Sequence, residues 1–597
     1  MPEQITPKRK ASLPAISATT TVKHSRVDLA QQEHASSSPS LSHPAGIRPW
    51  GNYYFDQGSL QTGSFDPHAI RQCMLGHWHR LTDDLILRIL ESELIATDLA
   101  NLQRVSKGFY AFARHEDLWR ALTLKDFGGA FTFCSTWRQT YRHCHVHKHL
   151  CQCSPQISNG SGHHKAHAVC TQRYLQVNTQ IRLDRFYSDT LFKPFMYATA
   201  SLSPWRQSQR GTPIPRVTKL SLDDFVDRYE KPSLPVIITD VVTQWPAFQK
   251  WADPHYLLKQ YGDAVFRAEA IDIMFKAYWQ YAQTQTLDEA PIYLFDKHFG
   301  ENCPDLLADF TVPEYFREDL FSLLGANTYS QHVLTATQAK ESAPKNVRPD
   351  YRWLIVGPQR SGSTFHKDPN ATSAWNAVIT GSKKWILYPP KCLPPGVYAN
   401  ADESQVTSPV SLMEWFHDYY ADVEPYRALG TQDSHGQPTG AFEGTCYAGD
   451  LMFVPRGWWH CVLNLDDSIA LTQNYVSRRN LPQVLHFLQF KRDQISGIPK
   501  QLASSLYEQF TAAFEHQFPG ELAQLRQQQQ RNFQQHSKVH IQWPFASLPT
   551  VGEAAVTAGD QANGTATAPA PTGAINLWET LKAGGPTDFK FGFAEDD

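Results

Sequence analysis

The chain has few cysteines, no long apolar run and almost no charge imbalance, and each shortage removes a class of protein. Ten cysteines in 597 residues are too few for a disulfide scaffold, which fits a reducing compartment. No stretch approaches the roughly 18 apolar residues that span a bilayer. The opening MPEQITPKRKASLPA also lacks the apolar core of a secretion signal, so a soluble intracellular protein with no membrane partner is expected. Against 55 basic residues stand 58 acidic ones, a formal net charge of −3. That balance argues against binding nucleic acid or lipid through overall charge, and no basic-aromatic stripe supplies a direct nucleic-acid motif. A short basic cluster, Pro7 to Lys10, has the form of a nuclear import signal, so nuclear localisation, with a possible cytoplasmic pool, is the expectation.

What is present is ample core material, 41% hydrophobic and 12% aromatic residues, spread unevenly. Residues 1–50 and 546–597 are rich in small and polar residues without apolar period, and disordered tails are expected there. Segments 334–349 and 430–444 read as flexible insertions between strands. Residues 75–125 read as a helical module. Leu85, Ile86, Ile89 and Leu90 form one stripe, and Asp98 reads as the N-cap of a second helix carrying Leu99, Leu102, Val105, Phe109 and Phe112. Leu118 and Trp119 mark a third helix. Residues 126–180 read as a linker whose His/Cys-rich part, 143–170, lacks the paired spacing of a zinc site and suits a surface loop. From 181 to 480 many short strands alternate with turns, as in a sandwich or barrel, and 481–540 is helical. The fold class is therefore α+β.

Polar residues interrupt one of the best strand candidates, STFHKDPNATSAWNAVITGSKKWILYPP, residues 363–390. His366 and Asp368 are two apart, so on extended chain they project to one side. That pattern alone is weak: His115 and Asp117 repeat it inside the helical module, where the two side chains diverge. Context separates them. Gly381-Ser382 reads as a two-residue hairpin loop pairing Thr380 with Lys383, Val378 with Trp385 and Asn376 with Leu387, which puts Asn376 and Lys383 on one face. A buried lysine facing an amide needs an anion. A second expected hairpin, GDLMFVPRGWWHCVLNLDDSIALTQNYVS, brings His460 to the same interior. It also brings Thr472 and Asn474 if the turn at 465–467 has an odd number of residues, which is the expectation. Two histidines and a carboxylate with open positions make the facial triad of non-haem Fe(II) oxygenases, suited to a bidentate oxo-acid and O₂. Lys383 would then meet the acid's far carboxylate, helped by Ser363 or Thr372 hydroxyls and the Asn376 and Asn474 amides.

These two stretches resemble the Jumonji C (JmjC) family of Fe(II)/2-oxoglutarate oxygenases, closest to the subgroup of the arginine demethylase and lysyl hydroxylase also called the phosphatidylserine receptor homologue. The resemblance runs from about 183 to 480 and implies a double-stranded β-helix (cupin or jelly roll). It implies that His366, Asp368 and His460 bind iron, that Asn376, Lys383 and Thr472, with Asn474 and Ser363, contact 2-oxoglutarate, and that O₂ is consumed. The implied reaction decarboxylates 2-oxoglutarate while hydroxylating a C–H bond of a protein such as a histone tail or splicing factor, giving demethylation or lysyl hydroxylation. Separately, LILRIL, LQRVSKGFYAFA and DLW within 81–129 resemble the F-box family, with Leu81-Thr82 where that family has Leu-Pro. This implies a Skp-type adaptor as partner and, as the alternative function, a substrate-recognition subunit of an SCF-type ubiquitin ligase.

Overall fold

Strands adjacent in the chain are mostly not adjacent in a sheet, and that single property of the fold builds its interior. The structure, a computed structural model, describes residues 42–52, 66–149, 181–183, 185–325, 347–409, 411–428 and 438–527. Sixteen strands are described: β1 (Thr212–Pro213), β2 (Arg216–Val217), β3 (Val236–Ile238), β4 (Val265–Ala268), β5 (Ile271–Met274), β6 (Leu294–Asp296), β7 (Arg352–Gly357), β8 (Gly362–His366), β9 (Ser373–Thr380), β10 (Ser382–Tyr388), β11 (Tyr398–Ala399), β12 (Val406–Thr407), β13 (Phe442–Tyr447), β14 (Leu451–Val454), β15 (Trp459–Asn464) and β16 (Ser468–Tyr475). One sheet has the order β1-β13-β10-β15-β8, a larger one β2-β3-β14-β9-β16-β7-β6-β4-β5, and β11 pairs with β12 in a small third sheet. Along the chain β7, β9, β14 and β16 go to the larger sheet while β8, β10, β13 and β15 go to the smaller, which is the winding of a double-stranded β-helix.

Neither expected hairpin exists. β9 pairs with β14 and β16, and β10 pairs with β13 and β15. Gly381 is where the chain leaves one sheet for the other. Its φ of +76° lies in the left-handed region, and a Cβ there would meet the Asp467 carbonyl oxygen at 2.3 Å. A Gly in that conformation looks the same in sequence whether it closes a hairpin or starts a crossover, which is why local turn chemistry misled. The second turn does hold three residues between β15 and β16, yet these strands too lie in different sheets. Side chains that should have shared one hairpin face instead look at each other across the interior. Ala374 and Val378 of β9 and Met452 and Val454 of β14 pack in one cluster with Trp385 and Leu387 of β10 and Val462 of β15.

Outside the larger sheet, Trp375 packs against Trp245 and Phe316, with ring centroids 6.0 and 6.1 Å away. Fully burying a side chain of this size contributes roughly 2–3 kcal/mol. The helical module spans Asp83–Glu93, Ala96–Leu102, Lys107–Phe112 and Glu116–Phe127, preceded by Pro67–Leu75. Ile95 rather than Asp98 is the N-cap of the second helix, with the Asp98 carboxylate accepting from the Ile95 N–H at 3.4 Å. The expected long stripe breaks at Ser106, whose hydroxyl caps Lys107–Phe112, and Val105 is left 67% exposed. Arg120 ties the module to the β domain, donating to Glu269 and to the Ala290 carbonyl, each at 2.9 Å.

Four boundaries shift. Part of the expected N-terminal tail is ordered: Ile47 is buried and the Trp50 N–H donates to Asp189 Oδ1 at 2.9 Å, because two apolar residues suffice to anchor a short extended piece. The expected linker is helical over Trp137–His149. Phe442–Gly444 belong to β13 and not to an insertion, while Val347 is buried and Arg348 pairs with Asp319. Residues 1–41, 150–180, 334–346, 430–437 and 528–597 lie outside the described residues. At the C-terminal side, Leu481–Phe490 and Lys500–Ala503 are helical, and a separate unit beginning at Ser505 contains the helix Leu506–Gln517.

Candidate active site

The interior between the sheets opens into a cleft of about 560 Å³, counting its solvent-open mouth, at the end where β8 and β15 run side by side. His366 is the last residue of β8 and pairs directly with His460 of β15, placing the two rings 4.2 Å apart. Asp368, two residues past His366, turns its carboxylate to the same point. One donor atom from each of the three lies within 4.8 Å of the others, and no other such group of three occurs among the described residues.

The histidines are held by their own strands. His366 Nδ1 is 2.8 Å from the Thr364 carbonyl oxygen, and His460 Nδ1 is 3.0 Å from that of Trp458. A carbonyl can only accept, so each Nδ1 carries a proton, and in the neutral ring it is Nε2 that presents a lone pair. Burial, followed by the facing His460, pushes the His366 pKa well below its ordinary value, which keeps the ring neutral. Burial raises Asp368, against the opposing pull of His460 and Asn474, and Asp368 Oδ2 has no hydrogen-bond partner. A buried carboxylate oxygen without a donor, facing two imidazole lone pairs, fits a divalent cation better than any arrangement of protons. The donor set of two nitrogens and one oxygen is the kind that suits Fe(II).

Beyond the three donors, Ser363, Asn376, Thr472 and Asn474 all line the cleft, as expected from sequence. Thr472 donates to the Trp375 carbonyl at 2.9 Å and Asn474 Nδ2 donates to Thr372 Oγ1 at 2.9 Å, while Asn376 Oδ1 is buried without a partner. Lys383 is not itself part of the cleft lining: it has no exposed surface and sits against Tyr293, which does line the cleft, its Nζ donating to Tyr293 Oη at 3.0 Å and to Asn464 Oδ1 at 2.7 Å. Burial drives its pKa from 10.5 down to about 7. Both acceptors are neutral, so the ammonium charge is left for an anion entering the cleft. A dicarboxylate that chelates a metal at one end and meets an ammonium at the other fits these residues.

Sequence reasoning missed Tyr293, Phe295, Trp353 and Ile355, which complete the wall from β6, its preceding residue and β7. They arrive through long-range pairing and carry no local signal. Asn464 was findable: it sits four residues after His460 on the same strand face.

Residues 222–480 match the family model of the Cupin-like domain and residues 78–125 that of the F-box-like domain. The chain is 39% identical over 492 residues to the Arginine-specific demethylase JMJ22 of Arabidopsis thaliana, covering 82% of this chain and 84% of that protein. It is 32% identical over 291 residues to the Bifunctional arginine demethylase and lysyl-hydroxylase psr-1 of Caenorhabditis elegans, 47% of this chain and 64% of that protein. To the 2-oxoglutarate and iron-dependent oxygenase JMJD4 of Homo sapiens it is 28% identical over 300 residues, 45% of this chain and 62% of that protein. Cleft chemistry and similarity agree, and the chain belongs to the JmjC family of Fe(II)- and 2-oxoglutarate-dependent oxygenases, with an F-box-like module ahead of its catalytic domain.

Proposed function

We propose that this oxygenase removes methyl groups from arginine side chains of a protein, with His366, Asp368 and His460 holding the iron. The observation that carries the site assignment is the convergence of those three donors in a cleft whose wall residue Tyr293 accepts a hydrogen bond from a buried, carboxylate-free lysine. The substrate class is supported by the name of the Arabidopsis relative, which aligns over most of both chains. Lysyl hydroxylation, in the name of the nematode relative, is the second activity to test on the same site.

Bound together, Fe(II), 2-oxoglutarate and O₂ supply oxidative decarboxylation to succinate and CO₂ with hydroxylation of a C–H bond, and a hydroxylated N-methyl group leaves as formaldehyde. The protein's own residues position and enclose. His366 and His460 offer Nε2 because their Nδ1 protons are committed to backbone carbonyls. Lys383 would bind the far carboxylate, with Asn376, Thr472, Asn474 and Ser363 supplying the polar contacts between the two ends. Phe295 and Trp353, stacked with centroids 5.3 Å apart, form an aromatic wall suited to the flat face of a guanidinium. Their bulk also helps exclude water.

The F-box-like module supports a further role in bringing a Skp-type adaptor, and with it a ubiquitin ligase, to the same substrate. The basic cluster at residues 7–10 supports a nuclear site of action on chromatin or splicing proteins, and a fluorescent fusion with and without it reads this out. The central test uses purified protein with Fe(II), 2-oxoglutarate and methylarginine peptides. Succinate, formaldehyde and a 14-Da loss per methyl are expected, and all three disappear in His366→Ala and Asp368→Ala. Variants that turn over like the wild type would refute the metal assignment. Loss of adaptor co-purification on deleting 78–125 tests the ligase role.

A further inference from the structure

Three cross-strand pairs run in order along the inner face shared by β10 and β15: Leu387 opposite His460, Trp385 opposite Val462 and Lys383 opposite Asn464. Asn464 therefore lies on the same face of β15 as His460 and Val462, which line the cleft, two pairs further along from the metal end. It has no exposed surface. Its amide is oriented by a one-way chain of hydrogen bonds. Asn464 Nδ2 donates to Ser361 Oγ at 2.9 Å, and the Ser361 hydroxyl proton is spent on the Pro358 carbonyl at 2.6 Å. Ser361 can only accept from Asn464, so Asn464 must turn Oδ1 to Lys383.

The other face of β10 supplies the comparison. Lys384 is as buried as Lys383, but it is ion-paired with Glu443 at 2.5 Å, and Glu443 also accepts from the Arg210 and Gly211 N–H groups and Tyr420. Where this fold satisfies a buried lysine for structure alone, it uses a carboxylate. Facing Lys383 the titratable groups are the Tyr293 hydroxyl and the Cys446 thiol of β13, both held neutral by burial. With Asn464 the surroundings are uncharged.

We propose that Asn464 is a positioning residue for the co-substrate: acting through Lys383, it aims the ammonium at the distal carboxylate of 2-oxoglutarate while leaving its charge uncompensated until that carboxylate arrives. This rests on the metal and 2-oxoglutarate assignment made above. An aspartate at 464 would become a resident counter-ion and compete with the ligand for Lys383.

The test is calorimetric binding to the full chain loaded with Mn(II), using 2-oxoglutarate and, separately, oxalate, which has the chelating end but no distal carboxylate. Asn464→Asp is expected to weaken 2-oxoglutarate at least tenfold and leave oxalate within twofold. Wild-type affinity for 2-oxoglutarate should fall as pH rises above about 7, whereas that of Asn464→Asp should stay flat from pH 6.5 to 8.5. Tyr293→Phe, which keeps the ring and removes one acceptor, should weaken 2-oxoglutarate alone by a few fold. Unchanged 2-oxoglutarate binding in Asn464→Asp, or an equal loss of oxalate, overturns the proposal. A wild-type protein that binds oxalate but not 2-oxoglutarate overturns the underlying co-substrate assignment as well.

Discussion

Replacing Lys383 by Met should make the protein more stable at neutral pH while disabling it. The wild-type amine is fully buried, and its pKa falls from 10.5 to about 7. That fall corresponds to roughly 5 kcal/mol of disfavour for the charged form in the folded state. Because the folded pKa is the depressed one, the penalty is fully present below about pH 7, shrinks as pH rises and is gone near pH 10.5. Methionine matches the unbranched stem and removes the penalty. It also leaves Tyr293 Oη and Asn464 Oδ1 without their donor, costing about 1–2 kcal/mol each. The balance at pH 7 is about 1–3 kcal/mol in favour of the variant, or a few degrees in Tm. By pH 10 the advantage should reverse, since the two orphaned acceptors remain. Binding of 2-oxoglutarate should weaken about 10- to 100-fold with the loss of a charge-assisted hydrogen bond. Thermal denaturation at pH 6.5, 8 and 10, together with a 2-oxoglutarate titration, measures both effects. A variant less stable than wild type at pH 6.5 that still binds 2-oxoglutarate normally would refute the reasoning that Lys383 is held uncompensated for a ligand.

The adjacent lysine should behave oppositely: Lys384→Met strands the fully buried Glu443 carboxylate and should cost about 3 kcal/mol or more, read by urea denaturation, with 2-oxoglutarate affinity unchanged. Gly381→Val puts a β-branched side chain at a φ of +76° and against the Asp467 carbonyl, so a loss of about 3 kcal/mol in the same assay is expected, with Gly381→Ala losing less.

The strands were largely legible because period-two patterning and turn residues are local. β9 lies at 373–380 as its composition implies, and β14 to β16 fall within a residue or so of their apolar runs. Their partners were not legible. Pairing depends on which sheet each strand joins, and Gly381 and Leu465–Asp467 carry no mark that distinguishes a crossover from a hairpin. The site residues nevertheless converged because residues of one parity face the interior whether their strands are neighbours or opposed. Asn376 therefore lines the cleft, and Lys383 reaches its wall through Tyr293, although no hairpin joins them. Ser106 splitting the module's long helix was a similar failure: Ser is tolerated inside helices and prized at their N-termini, and only tertiary packing decides which applies.

The pair Lys383-Lys384 also bears on how β10 holds its register. A one-residue slip would turn every side chain of the strand to the opposite face. Slipped one way, Lys384 takes the place of Lys383 and Trp385 comes to lie beside Glu443; slipped the other way, Lys383 reaches Glu443 and Ser382 faces Asn464. Either misalignment leaves one of two buried polar places without its ammonium, besides exchanging Trp385 with an outward neighbour. The two lysines therefore act as a pair of register pins, and an insertion or deletion beside Gly381 would disturb the charges and the shape of the cleft together.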